Sequence, residues 1–324
     1  MKKAIISLCL VWALNATAVP DPVWPQLSLS NGVLQTTLYL PNAEQGYYRG
    51  TRFDWSGAFK SLTYNGHRFV DQWFDQYDPR LHDAINGPAE EFTPLGYDEA
   101  AIGDTFVKIG VGVLRRADEK PYAFGRYYDI MDGGSRTLQF RKDRIDFLHE
   151  LRHPSGYGYQ YQKTVRLLPG KPVLVLEHRL KNTGQKPIQT SVYNHNFWVL
   201  DQEPTGPGID VSFPFAVQGQ GKGFGGLLQT QGNRLVYTRP FAPKETVYSA
   251  GLQGFSAMTS DYDIRITNQK TGAGVHITGD QPLQKLVYWA CATTSCPEPY
   301  VLIEVAPGAE KTWTVQYEFS GEAR

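Results

Sequence analysis

Cysteine and methionine are scarce, three of each in 324 residues. Cys9 falls in an apolar leader, which leaves only Cys291 and Cys296 further on. Two thiols cannot close a structural zinc site, and no CxxC pair is present. Net charge is missing too, with 32 Lys+Arg against 32 Asp+Glu. Such a chain has no general attraction to nucleic acid or anionic lipid, so neither is expected as a partner. Beyond the leader, no apolar run reaches the eighteen or so residues that span a bilayer. The seven histidines include no HxH pair, and no GxSxG elbow frames a serine. No metal and no cofactor are expected.

The leader has the three parts of a secretory signal. Met1-Lys2-Lys3 is basic, Ala4 to Leu14 is apolar, and Ala16-Thr17-Ala18 is a small-x-small cleavage site. The expectation is a cleaved segment over residues 1–18, a single domain over 19–324 and a periplasmic location, soluble and without membrane insertion after cleavage. The apolar stretch is short for a membrane anchor, and Asn15 follows it. Cys291 and Cys296 have two readings in an oxidising compartment: a short-loop disulfide, or two free and partly buried thiols.

What the chain does have is aromatic and alternating. Aromatic residues make up 13% and hydrophobic residues 41%, which excludes a disordered chain. Period-2 runs recur at Leu34–Leu40, Thr164–Leu168, Val173–Leu180, Ile264–Thr267, Val275–Thr278, Val301–Val305 and Thr312–Phe319. Turn signals separate them, among them Leu168-Pro169-Gly170-Lys171, Lys181-Asn182-Thr183-Gly184 and Ala306-Pro307-Gly308. Strands at this spacing predict an all-β fold, a large antiparallel β-sandwich of two facing sheets. Helix is limited to a single turn near Pro94–Ile102.

Several segments are candidates for chemistry. Gly221-Lys222-Gly223-Phe224-Gly225-Gly226 matches GxGxxG, but no helix follows to receive a pyrophosphate, so it reads as a glycine-rich β-loop. His178 and His276 read as strand side chains and His153 as a loop residue. Tyr47 to Gly57 sets Arg49 and Arg52 among aromatics, the mixture that suits a sugar's C–H face and hydroxyls. Its plainer reading is an ion pair from either arginine to Asp54. His82 to Phe92 contains an Asn-Gly-Pro turn that presents His82, Glu90 and Glu91 on loop flanks, or else forms a solvated acidic turn. Ser191 to Asp201 encloses Asn194-His195-Asn196 in an aromatic strand. Flanking amides can fix an imidazole's tautomer, as a proton donor requires; the alternative is a core histidine.

Asn194-His195-Asn196-Phe197 resembles the Asn-His-x-Tyr/Phe motif of the aldose 1-epimerase, or galactose mutarotase-like, superfamily. The stretch from Tyr161 through Lys181-Asn182-Thr183-Gly184 is similar to the strands and turn that precede that motif. Val287-Tyr288-Trp289, Tyr300 to Glu304 and Ala306-Pro307-Gly308 resemble its closing segments, and the likeness covers roughly residues 30–320. It implies a β-supersandwich and a cofactor-free isomerase that opens and recloses a sugar ring by acid–base catalysis. His195 is then the acid and Glu304 the base, with Glu298 in reserve. Arg52 and Arg49 hold hydroxyls, His82 fills a second-histidine role, and Asn194 and Trp198 complete the sugar contacts. The implied partner is a mono- or oligosaccharide. The superfamily's Asn-x-Leu-His-Gly-Gly element is absent, and only Val305 and Ala306 separate Glu304 from Pro307. Two other functions fit the same scaffold: a non-catalytic carbohydrate-binding protein, and a polysaccharide-processing enzyme such as a lyase, with Tyr193 as its base.

Overall fold

The structure is a computed structural model that describes residues 24–324. The leader and its cleavage point lie outside the described residues. Every alternating run becomes an antiparallel strand. Val173–Leu180 lies within Val173–Asn182, Thr164–Leu168 largely within Gly158–Leu167, and Thr312–Phe319 within Glu310–Ser320. Among the described residues the one helical element is a 3-10 turn, Thr259–Asp261. Near Pro94–Ile102 the chain makes a hydrogen-bonded turn and no helix: Ala100 N–H donates to Gly96 O at 3.1 Å and the pattern stops.

Two layers carry the fold. A ten-stranded sheet has Gly158–Leu167, Val173–Asn182 and Glu310–Ser320 near its middle. A five-stranded sheet runs in the order Thr246–Ser249, Lys285–Cys291, Thr294–Val305, Ile188–Phe197, Gly87–Phe92. Alternation decides what lies between them. Leu174, Leu176 and Leu180 point inward from the first sheet, and Val192, Val301 and Ile303 from the second; all are buried in one core. Phe92 meets Tyr161 and Trp313 edge-on across the interface.

Charge is buried between the layers as well. Lys163 and His178 occupy inward positions, and Glu90 answers both from the opposite sheet. His178 Nε2 lies 2.7 Å from Glu90 Oε1, and Asn194 Nδ2 donates to the same oxygen at 3.0 Å. Burial pushes the Glu90 carboxyl up, but Lys163 and His178 outweigh it and hold the group at about 2. The segment His82–Phe92 is therefore no solvated acidic turn. Its second half is the buried strand Gly87–Phe92, which sends Glu90 into the core and Glu91 to the other face.

Candidate functional site

That other face of the five-stranded sheet is the floor of a cavity of about 660 Å³. Strand register explains its contents. Tyr193 pairs with Glu91 on one side and Tyr300 on the other, and Val287 pairs with Glu298. Extending the Tyr193–Tyr300 register by two residues sets His195 opposite Glu298. The ladder between these two strands stops at Tyr193–Tyr300 and returns only at the bridge Trp198–Ser295. Pro297 and Pro299 lie in that gap, and proline has no N–H to donate. The Asn196 amide spans it instead, donating to Pro297 O at 2.9 Å.

His195 Nε2 lies 3.4 Å from Glu298 Oε1, with both side chains almost fully buried. The imidazole stacks on Phe197 with centroids 3.8 Å apart, and Phe53 and Trp289 approach it edge-on. Its Nδ1 has no hydrogen-bond partner among the described residues. Burial, with the charges of Arg52 and His82 adding to it, pushes the imidazole well below its ordinary value. Burial acts oppositely on Glu298 and raises its carboxyl to about 8, against the pull of Arg52. At neutral pH the pair therefore carries one proton between an acid and a free base.

Beside the pair lies a buried charge cluster. Arg52 Nε donates to Glu91 Oε2 at 2.8 Å, its Nη1 pairs with Asp83, and its Nη2 donates to Tyr193 Oη at 2.9 Å. Lys108 Nζ donates to Glu91 Oε1 at 3.0 Å and to Tyr122 Oη at 2.6 Å. Tyr193 Oη in turn donates to Glu91 Oε2 at 2.6 Å. Burial raises Glu91, but Lys108 and Arg52 reverse the effect and keep it ionised. Phe124 caps Arg52, with the guanidinium 4.1 Å from the ring centroid.

The structure regroups the residues expected from sequence. His195, Glu298 and Arg52 line the cavity together. Glu304 does not join them: it shares a strand face with Glu298 but lies six residues along, about 20 Å at the rise of a β-strand. There it is exposed and accepts from Gln189 Nε2 at 3.0 Å. Asn194 points into the core, and so does Asn196, because neighbours in a strand face opposite ways. Neither amide touches the imidazole; aromatic packing orients it instead. Trp198 is buried against Tyr317 and Phe319, away from the cavity. Arg49 sits outside the lining, its backbone N–H bonded to Pro79 O at 2.6 Å. His82 stands just behind the lining, its Nδ1 2.8 Å from Asp83 Oδ1. Among the described residues no arginine pairs with Asp54, whose Oδ2 lies 4.0 Å from Lys163 Nζ. Cys291 and Cys296 are both free thiols.

One pattern escaped the sequence reading. His149-Glu150-Leu151-Arg152-His153 spells HExxH, which gathers two zinc ligands only on a helix. Here it lies at the end of the strand Arg144–Arg152. His149 Nε2 is 2.9 Å from Gly133 O, and His153 Nε2 is 2.8 Å from Thr105 Oγ1. Among the described residues no group of three or more His, Cys, Asp or Glu converges as a metal-ligand set.

No family profile and no curated protein matches the chain. Solved structures do. The Slr1438 protein of Synechocystis covers 94% of this chain and 99% of its own, at 16% identity and TM-score 0.57. A galactose mutarotase-like protein from Lactobacillus casei covers 91% of this chain and 100% of its own, at 14% identity and TM-score 0.57. The GalM/aldose epimerase homologue from C. elegans covers 93% of this chain and 99% of its own, at 14% identity and TM-score 0.53. At such identities the likeness establishes the fold, a galactose mutarotase-like β-sandwich, and leaves activity to the site.

Proposed function

We propose that the chain interconverts the anomers of a reducing sugar, and that it does so in the periplasm once the leader is cleaved. The observation that carries this reading is the His195–Glu298 pair, one acid and one base 3.4 Å apart at the buried end of a sugar-sized cavity. The anomeric hydroxyl and the ring oxygen share one carbon, so two side chains on neighbouring strands reach both at once. Neither proton transfer is easy alone at neutral pH.

In ring opening, the Glu298 carboxyl gives its proton to the ring oxygen as the bond from that oxygen to the anomeric carbon breaks. His195 Nε2 takes the anomeric hydroxyl proton, and that oxygen becomes the aldehyde carbonyl. After rotation about the C1–C2 bond the freed hydroxyl attacks the other face of the carbonyl. The carboxylate recovers its proton and the imidazolium returns the other. The resemblance assigns acid to histidine and base to glutamate; burial of both groups here supports the exchanged roles. Arg52, fixed by two carboxylates and a phenol and packed against the Phe53 and Phe124 rings, offers sugar hydroxyls the second N–H of Nη1 and of Nη2.

Two observations weigh against a lyase. Tyr193 donates its proton to Glu91, and burial raises it well above its ordinary value, the wrong state for a base. Arg52 is already neutralised by Asp83 and Glu91, which leaves little positive charge for a uronate.

Polarimetry on freshly dissolved α-glucose, α-galactose and reducing disaccharides tests the reading. The wild type should speed equilibration, and His195→Ala should lower kcat by roughly 10²–10⁴-fold. Equal rates with protein and with buffer across the panel would retire catalysis and leave a carbohydrate-binding protein.

A further inference from the structure

The cavity is longer than a single pyranose ring needs. Its floor crosses four strands, from His195 through Glu298 and Val287 to Thr246 and Tyr248 on Thr246–Ser249. Three strand spacings amount to about 14 Å. A volume of about 660 Å³ is in the range that encloses a drug-sized ligand rather than one hexose. The cavity also has a direction. His195 and Glu298 are 4% and 5% exposed at the inner end, whereas Tyr248 is 44% exposed at the rim. Tyr248 pairs in register with Trp289, so the two rings stand side by side on the floor.

The far wall is the glycine-rich loop, and its glycines have a physical reason. Lys222 forms a β-bridge to Tyr248, so the loop lies directly against the Thr246–Ser249 strand. A Cβ on Gly221 would sit 2.3 Å from Tyr248 O, and one on Gly223 2.9 Å from Val247 Cγ2. Both glycines also have positive φ, +134° and +84°. Only glycine lets the loop come this close. The approach places Lys222 on the cavity wall, its Nζ donating to Thr246 Oγ1 at 2.6 Å.

We propose that this outer end is a second sugar subsite, so that the protein acts on the reducing end of a disaccharide or longer saccharide rather than on free monosaccharides. The inference rests on the anomerase reading of the inner end. The reducing ring sits over His195 and Glu298, the next ring lies over Trp289 on the intervening strand, and its outer edge meets Tyr248. Lys222 and Thr246 offer donors to its hydroxyls. The chain then leaves through the open rim. Aromatic faces suit this role because a pyranose presents apolar C–H groups on its faces.

The test compares kcat/KM for anomer exchange, measured by NMR, on glucose, maltose and cellobiose, with wild type, Tyr248→Ala and Tyr248→Phe. For the wild type, at least one disaccharide should exceed glucose five-fold or more. Tyr248→Ala should cut that disaccharide-to-glucose ratio about five- to ten-fold, in line with one lost ring contact, and Tyr248→Phe should retain it. A wild-type ratio at or below one for both disaccharides, or a ratio that Tyr248→Ala leaves unmoved, overturns the subsite. If no sugar is anomerised, the reading of the inner end fails, and tryptophan fluorescence titration with maltose and cellobiose decides the outer end alone. Binding weakened by Tyr248→Ala then sustains the subsite, and no binding of either disaccharide overturns it.

Discussion

Replacing Glu298 with glutamine should make the protein more stable in alkali while it removes the proton on which the proposed reaction depends. The carboxyl is buried, and its value rises from 4.5 to about 8 in the folded state. Because the folded value lies above the unfolded one, the contribution of Glu298 to stability is fully present below about pH 4.5. It is lost as pH rises through the folded value. At about 1.4 kcal/mol per unit, the full loss is on the order of 5 kcal/mol above pH 8. That figure is a ceiling, since water entering the cavity solvates part of the carboxylate. Glutamine keeps the shape and never ionises. Wild type and Glu298→Gln should therefore unfold at similar urea concentrations at pH 5. At pH 9 the variant should be ahead by about 2 kcal/mol or more. Taking the difference between the two proteins at each pH cancels all other titrations. If the two unfolding curves track one another from pH 5 to pH 9, Glu298 is not a buried acid, and the proton inventory of the site is wrong. The same samples show whether lost activity has any link to lost stability, since the two are expected to move in opposite directions.

The acid role of Glu298 also requires kcat/KM to fall above about pH 8, as the carboxyl loses its proton; a profile flat from pH 6 to 9.5 contradicts it. Glu90→Gln leaves Lys163 with only Asp54, 4.0 Å away, as a counter-charge and should cost about 3 kcal/mol at pH 7 in urea unfolding. Glu90 is lowered to about 2, so its contribution is present above the unfolded value and is lost as pH falls towards 2. The gap between wild type and Glu90→Gln should accordingly shrink at pH 3, and an unchanged gap would assign the loss to shape alone. A thiol reagent should modify half-buried Cys291 in the native protein and Cys296 only after unfolding. Failure of either to react in denaturant without reductant would mean that a disulfide joins them.

The motif resemblance and the register of the strands part company at the carboxyl group that partners His195. The likeness of the tail segments points to Glu304, whereas pairing selects Glu298, because the residue opposite His195 is set by where two strands align. Sequence reading set Glu304 in the Val301–Val305 run and held Glu298, between Pro297 and Pro299, in reserve; it could not say which of them faces the cavity. The amides beside His195 show the same gap. Their adjacency in sequence suggests contact, and the pleat of a strand forbids it.

Some of the missing information was nonetheless present in the order of residues. Lys163 stands between Tyr161 and Val165, and His178 between Leu176 and Leu180, each at an inward position of an alternating strand. Two buried bases on one sheet call for an acid on the other, and Glu90 in the Gly87–Phe92 strand supplies it. The HExxH run could likewise have been set aside once its alternation had been read as strand.

The sequence by itself determined that the chain folds as antiparallel strands in two layers, because period-2 patterning and turn residues act locally and need no knowledge of partners. It also determined that His195 belongs to an aromatic strand and that residues 221–226 form a glycine-rich β-loop, with no helix behind it to make a dinucleotide site. Only the tertiary structure decided which carboxylate faces His195, which acids neutralise Arg52, and what the glycine loop approaches. Those pairings join residues well separated along the chain, 31 and 39 positions for Arg52 with Asp83 and Glu91 and 103 for His195 with Glu298, and no local pattern encodes them.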